Sequence, residues 1–509
     1  MSREKNHRAS PPSALTGRRG LPILSSGKRN LSSKQDGEAL PGTGHGKRAG
    51  GSRRDPQAPV ETDMKQDRRS DDFLARLGGL FEVALPDARG IVARFHEEMR
   101  RGLAGEESSL PMLPSFVRRP SGTERGRFLA VDLGGTNVRV LAVALDGKGG
   151  ARPEAASRFA VPGEAMRGDG AALFDFVARC VASFLREYGP PDPGRLDLAF
   201  AFSFPVAQSS VAAGKLLTWT KGYTAAGVVG RDVAALLAGA LARERLDAVR
   251  VAALANDTVG ALAAGSYGDP ECDMGVILGT GTNACYPEKA GRIAKCPGLD
   301  SDGEMIVNME WGNFDKLDVN AYDRAVDGDS FNPGRQRMEK TVSGMYLGEL
   351  ARRIFLEMSA LKLLPGGLDR SPLSRAYDLT AEHLAKAAAG GDFFPDFGLV
   401  ELADRERRAA AEVCRIVSRR AARIAGAAIA AVLSWMDPGL EKGHAIAVDG
   451  SLFEKYPGFA ENMMEALAEI FGARAGRVRL EPARDGSGIG AAVIAAVASS
   501  GGVRDGRVS

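Results

Sequence analysis

Apolar positions recur at helical spacing from Phe73 to Arg101, through Phe73, Leu77, Leu80, Phe81, Ile91, Phe95 and Met99, and Pro86 is expected to divide two helices there. The chain before Asp71 has no such pattern, so order is expected to begin near that residue. From Arg127 to Ala144 two apolar runs flank a Gly-Gly turn, the signature of a β-hairpin. A helix over Ala171–Glu187, a strand over Leu196–Phe204 stopped by Pro205, a helix over Val233–Glu244 and a strand over Val249–Leu254 follow. The second half repeats the pattern in kind. A strand over Asp273–Leu278 runs into the turn Gly279-Thr280-Gly281-Thr282, and a strand-like segment covers Ile306–Trp311. Helices are predicted over Met338–Met358 and Arg405–Trp435, then a strand over Ala445–Val448 and a last helix over Gly488–Ser499. Alternating strands and helices in both halves predict an α/β protein of two related lobes facing each other across a cleft.

Composition narrows this picture at a few points. The 509 residues are 44% apolar and 26% charged, ordinary for a globular protein, but only 6% aromatic with 63 glycines, so packing must rely on small side chains. Five scattered cysteines (Cys180, Cys272, Cys285, Cys296, Cys414), with no CxxC pair, argue against a disulfide framework or a zinc site and fit a reducing, cytoplasmic setting. No run reaches the roughly 18 apolar residues of a membrane span, and no secretory signal is expected. The first 70 residues hold 15 Lys and Arg against 7 acidic residues, so the basic excess sits in that segment and the rest of the chain is mildly acidic. Residues 1–68, rich in Ser, Gly and Pro, are expected to form a disordered basic tail. Nucleic acid is not expected as a partner.

Three turns carry candidate chemistry. Asp132-Leu133-Gly134-Gly135-Thr136-Asn137 offers paired glycines whose amides can approach an anion, a hydroxyl donor, and a carboxylate able to hold a magnesium ion directly or through water. Gly279-Thr280-Gly281-Thr282-Asn283 repeats that chemistry from the other half. Asp449-Gly450-Ser451 and Asp485-Gly486-Ser487-Gly488 form a third set, the latter opening a helix. Singly, each is more often a plain turn. Together, at the ends of strands in two lobes, they suit a triphosphate held between them. The patterns GxxxxGK[ST] and GxGxxG after a strand are absent.

A phosphoryl acceptor also needs a base and polar contacts. Asn256-Asp257-Thr258 follows a strand, and on the tripeptide alone Asp257 reads first as the cap of the next helix and second as a general base. Ser203, Thr220, Lys221, Glu310 beside Trp311, and Glu339 are polar residues in apolar surroundings, where a polyol would need them. Otherwise Glu310 is an edge-strand charge, Glu339 part of a solvated helix turn and Lys221 a surface lysine. No histidine is expected to act as base, since His96, His383 and His444 have no Ser or Cys partner evident in the sequence.

Assembled in order, these segments resemble the hexokinase family over nearly all of residues 70–500. The matching stretches include FLAVDLGGTNVRVL at Phe128, FAFSFPVAQSS at Phe200, LLTWTKGY at Leu216, NDTVGALAAGSY at Asn256 and ILGTGTNACY at Ile277. VNMEWGNF at Val307, the long segment from Tyr322 to Leu350, AVDGSLFEKYPGF at Ala447 and DGSGIGAAVIAAV at Asp485 continue the series. Ile489 stands where many relatives have Lys, and the basic tail has no counterpart.

The resemblance implies the actin-like ATPase (ribonuclease H-like) duplicated fold, with N-terminal helices over 69–124 on the large lobe. It implies a small lobe over 125–255 with part of 482–500, a large lobe over 256–481, and a C-terminal helix and tail over 482–509. It implies Mg-ATP as cofactor, no dedicated protein metal site, and a hexose as the other small-molecule partner. Asp257 falls on the family's catalytic base. Ser203, Thr220, Lys221, Asn256, Asn283, Glu310 and Glu339 fall on sugar-contacting positions. Asp132 to Asn137 and Thr280 match phosphate loops, Gly450-Ser451 the adenosine segment, and Gly344-Met345 a further nucleotide-side contact. A sugar-binding regulator without transfer activity would keep the sugar set but lose the base or a phosphate loop, and here both are present. Which hexose is preferred stays open, as does the oligomeric state.

Overall fold

The computed structural model describes residues 58–191, 194–299, 302–398, 402–483 and 485–500. Residues 1–57, most of the expected basic tail, lie outside that set. The chain is already helical from Ala58 to Phe81, so residues 58–68 belong to a helix rather than to a disordered tail. Its apolar stripe is anchored by Phe73, Leu77 and Phe81, all buried. Gln66 and Arg69 donate to the carbonyls of Lys362 and Leu361, at 2.9 and 3.1 Å. Pro86 does not lie between the helices but in the first turn of the second, Leu85–Ala104, where its missing N–H costs nothing.

Two sheets carry the architecture. The first runs, edge to edge, Ala151–Ala160, Asn137–Asp146, Arg125–Leu133, Leu196–Phe202 and Val249–Ala255. Its first three strands are antiparallel, and the last two join parallel. The second sheet repeats that order and polarity with Glu304–Asn308, Thr282–Lys289, Cys272–Leu278, His444–Asp449 and Val478–Pro482. A two-residue strand, Leu113–Pro114, is added at its outer edge. Each half is therefore a three-stranded meander followed by two parallel crossovers, and the sequence repetition is a structural duplication.

The space between the sheets is filled by the helices Asp257–Gly268 and Gly486–Ser499, packed on each other, the first on the strand Cys272–Leu278 and the second on the strand Arg125–Leu133. Many of the residues there are small: Ala130, Ala199, Ala201, Ala253, Ala255, Ala491, Ala492, Ala495 and Ala496 belong to one buried cluster. Gly490 is required at this crossing, because a Cβ would collide with the carbonyl of Gly260. Close backbone approach replaces the missing aromatic bulk.

Two predicted elements are broken, each for a tertiary reason. The helix expected over Met338–Met358 is two helices, Arg337–Val342 and Gly344–Ala360, separated by an extended Ser343. The break frees the amides of Gly344 and Met345 to donate to the carbonyls of Gly279 and Thr280, at 2.8 and 3.2 Å. The strand expected to reach Trp311 stops at Asn308, because Glu310 is left-handed (φ 53°, ψ 45°).

Candidate active site

Strand ends, turns and helix starts deliver the candidate residues. The hairpin turn Gly134–Asn137 is closed by the amide of Gly134 on the carbonyl of Asn137 at 3.1 Å, and Asn137 Nδ2 donates to Thr136 Oγ1 at 2.8 Å. Tyr223, from a segment unassigned in the sequence, donates its hydroxyl to the carbonyl of Gly134 at 3.2 Å. Lys221 is left-handed (φ 54°) and its Nζ donates to the carbonyl of Ser203 at 2.8 Å. That bond, and its position 5.6 Å over the Phe204 ring, tether its charge, although the residue is exposed to solvent as a surface lysine would be. Thr220 precedes it and accepts at its carbonyl from the amide of Tyr223.

At the strand end after Ala255 the cap is Asn256, whose Oδ1 accepts from the amide of Thr258 at 2.9 Å. Asp257 is the first residue of the helix, and its Oδ1 accepts from the same amide at 2.9 Å. The capping task is thus carried by its neighbour, leaving Asp257 for another role.

The second Gly/Thr turn supplies the opposite wall. Glu339 Oε2 accepts from the amide of Thr282 at 3.2 Å, so this carboxylate faces the turn instead of solvent. Glu310 is held by Asn308, whose Nδ2 lies 2.9 Å from its Oε1, and is approached by Asn283 Nδ2 at 3.5 Å. It sits beyond the strand end, not on an edge strand. Asn308 escaped the sequence reading; a polar residue in the strand MIVN, two before Glu310, was its signal. Gly344 and Met345 join this wall through the bonds to Gly279 and Thr280. Gly450 (φ 130°) lies against Leu278 and Gly279, where a Cβ would collide with the chain, and Ser451 opens the short helix that follows.

The carboxyls of this region share an electrostatic field. Burial raises the pKa of Asp132 and of Glu339, of Glu310 to about 7, and of Asp449 to about 6. In all four the negative charge of Asp257 adds to burial, and Lys221 works against it at Asp132, Glu310 and Glu339. Asp257 is thus the one carboxylate whose charge acts on all four, Glu310, Glu339, Asp132 and Asp449. Such a set of mutually felt carboxylates suits hydroxyl donors and a cation rather than a bare anion. Among the described residues no group of His, Cys, Asp and Glu forms a dedicated metal cluster.

Of the histidines, His96 does meet a serine: Ser434 Oγ lies 3.2 Å from its Nε2. Both groups are engaged with main-chain carbonyls, Ala431 for His96 at 2.8 Å and Ala430 for Ser434 at 2.6 Å, so the pair is structural.

Sequence models described as hexokinase match residues 74–267 and 273–497. Hexokinase-7 of Oryza sativa subsp. japonica is 43% identical over 444 residues, covering 82% of this chain and 95% of that protein. Hexokinase-1 of Arabidopsis thaliana is 41% identical over 427 residues, covering 78% and 85%. The solved structure of a hexokinase from Schistosoma mansoni complexed with glucose covers 84% of this chain and 99% of its own, with 36% identity and a TM-score of 0.75. The duplicated sheets are those of the actin-like ATPase fold, the matches run through both of them, and the chain belongs to the hexokinase family of ATP-dependent hexose kinases.

Proposed function

We propose that this hexokinase transfers the γ-phosphoryl group of ATP to the 6-hydroxyl of an aldohexose such as D-glucose, with Asp257 as general base. The observation that supports the assignment is that Asn256 takes the capping duty at this strand end, leaving Asp257, whose charge is felt by Glu310, Glu339, Asp132 and Asp449, for another role. Ser203, Thr220, Lys221, Asn256, Asn283, Glu310 and Glu339 bind the sugar. The carboxylates accept from its hydroxyls and Lys221 donates to them. As the sugar oxygen forms its bond to the γ-phosphorus, its proton passes to Asp257 and the bond from that phosphorus to the bridging β–γ oxygen breaks.

The Gly134-Gly135 turn, through the Gly135 amide, with Thr136, Asn137 and Thr280, holds the phosphates; Gly344, Met345, Gly450 and Ser451 line the nucleoside side. Asp132 and Asp449 would repel a bare triphosphate, so their chemistry fits Mg-ATP, with the ion held mainly by phosphate and water. Magnesium supplies charge neutralisation between the phosphates when bound. Joining of the two lobes around the sugar excludes water, which would otherwise compete as acceptor.

The free thiols of all five cysteines, four of them buried, favour a cytoplasmic location. No helix among the described residues is long and apolar enough to cross a membrane. A coupled assay with a panel of hexoses at fixed Mg-ATP tests the activity. Sugar-dependent ADP release supports it, and its absence with every hexose overturns it.

A further inference from the structure

The first residues of the C-terminal helix, Gly486–Ser499, reach across to the neck of the Gly134–Asn137 hairpin. Asp132 and Arg139 face each other in the register of that hairpin, one on each strand. Ser487 Oγ donates to Asp132 Oδ2 at 3.0 Å, and Arg139 donates to Asp485 Oδ2 at 2.7 Å. The two members of one cross-strand pair are thus each taken by a residue more than three hundred positions away.

The local cost indicates that this contact is not incidental. Asp485 stands at the helix N-cap, a position where Asp ordinarily accepts from the helix amides, yet it makes no capping bond. It is instead left-handed (φ 57°), a strained conformation for a residue with a Cβ. Its Oδ1 is buried without a hydrogen-bond partner. A residue chosen only to start a helix would be placed otherwise. Further along, the same helix packs on the helix that begins with Asp257, through the glycine crossing at Gly490 and Gly260 and the contact of Gly486 with Ala261.

We propose that Asp485 and Ser487 are positioning residues for phosphoryl transfer. They clasp Arg139 and Asp132 and so hold the Gly134–Asn137 turn in a set position relative to Asp257. The proposal rests on the reading of that turn as a phosphate loop. Ser487 orients the Asp132 carboxylate, and Asp485 fixes the partner strand through Arg139. The rigid helix between them carries the reference to the general base.

Steady-state kinetics of the full chain test this with Ser487→Ala, Ser487→Thr, Asp485→Asn, Asp132→Asn and the Ser487→Ala/Asp132→Asn double variant. Loss of one such bond is expected to lower kcat/KM for ATP about tenfold in Ser487→Ala. Glucose affinity, read from tryptophan fluorescence without ATP, stays within about twofold of wild type, as a purely ATP-side defect requires. Ser487→Thr restores most of the loss because it keeps the hydroxyl. Asp485→Asn, which tolerates the left-handed backbone, shows the ATP-side loss through the missing ion pair. In the Asp132→Asn background Ser487→Ala has no further effect, since its action passes through Asp132. Equal effects of Ser487→Ala in both backgrounds, or a parallel loss of glucose binding, would overturn the proposal as a general folding defect. If Asp132→Asn alone leaves ATP kinetics unchanged, the phosphate-loop reading fails, and the clasp with it. A normal Ser487→Ala beside an impaired Asp132→Asn sinks only the clasp.

Discussion

Asn308 holds Glu310 from two sides: its Nδ2 donates to Glu310 Oε1 at 2.9 Å, and its Oδ1 accepts from the Glu310 backbone amide at 3.3 Å. These bonds fix a left-handed glutamate whose carboxyl is brought to a pKa of about 7 by burial first, and by Asp257 and Glu339 after it.

That pKa makes sugar binding pH-dependent. A carboxylate must be ionised to accept two hydroxyls, so glucose affinity is predicted to fall by up to about tenfold per pH unit below about 7. The sign for stability is the reverse. The raised pKa means that ionisation burdens the folded state, with no cost below the ordinary value of 4.5 and the full cost above about 7. Glu310→Gln should therefore raise the melting temperature at pH 8 more than at pH 5, and flatten the pH profile of glucose binding. Fluorescence titrations and thermal melts across this range check both; a pH-independent wild-type affinity would contradict the assignment.

Asp257→Asn is predicted to lower kcat by about two to four orders of magnitude. The fold should persist, because Asn256 caps the helix and an amide oxygen at position 257 can still accept from Thr258. Retention of more than about a tenth of wild-type turnover would remove Asp257 as the base.

Glucose alone should change tryptophan fluorescence. Trp219 is half-buried and stacked on Tyr223 with centroids 5.3 Å apart, next to Thr220 and Lys221. Trp311, beside Glu310, is fully buried and donates to Thr282 Oγ1 at 2.9 Å. Trp435 donates to Glu288 Oε2 at 2.6 Å at the far end of the long helix Asp404–Met436, a contact unrelated to the site residues. Trp435→Phe should keep the response and Trp219→Phe should diminish it. Glu310→Ala should weaken glucose binding by about one to two orders of magnitude. A glucose affinity equal to wild type in Glu310→Ala would exclude this residue from the sugar site.

His444 predicts a separate, structural pH effect. It is fully buried, with Nδ1 at 2.9 Å from Asp273 and Nε2 at 3.3 Å from Asp437. Burial opposes its charge, but Asp273 and Asp437 outweigh it and raise its pKa above 6.5. The stabilisation is fully present below the unfolded value of 6.5 and is lost as pH rises through the folded one. His444→Gln should cost roughly 1–3 kcal/mol at pH 6 and less at pH 9, measured by urea unfolding. An equal cost at both values would show that the imidazolium pairs contribute nothing.

Local pattern was sufficient for most elements. The hairpin around Gly134-Gly135, the helix ending near Tyr188 and the long helix to Met436 follow from periodicity and turn chemistry, which act over a few residues. The residues of the two Gly/Thr turns were readable for the same reason: a turn that exposes amides needs glycine and small hydroxyls at adjacent positions. What could not be read locally is where distant partners override propensity. Ser343 breaks a helix because two amides are worth more on the Gly279 and Thr280 carbonyls, and Glu310 leaves its strand because Asn308 holds it.

The sequence by itself determined the alternation of strands and helices, the two Gly/Thr turns and the set of polar residues available for a sugar and a triphosphate. Only the tertiary structure decided that Asn256 frees Asp257 from capping and that the charge of Asp257 is felt by four other carboxyls. It alone decided, too, that Asp485 and Ser487 close on Arg139 and Asp132. Hydrogen bonds and charges act through distance in space, and the alanine-packed space between the sheets lets two helices approach closely enough to bring these chain segments together.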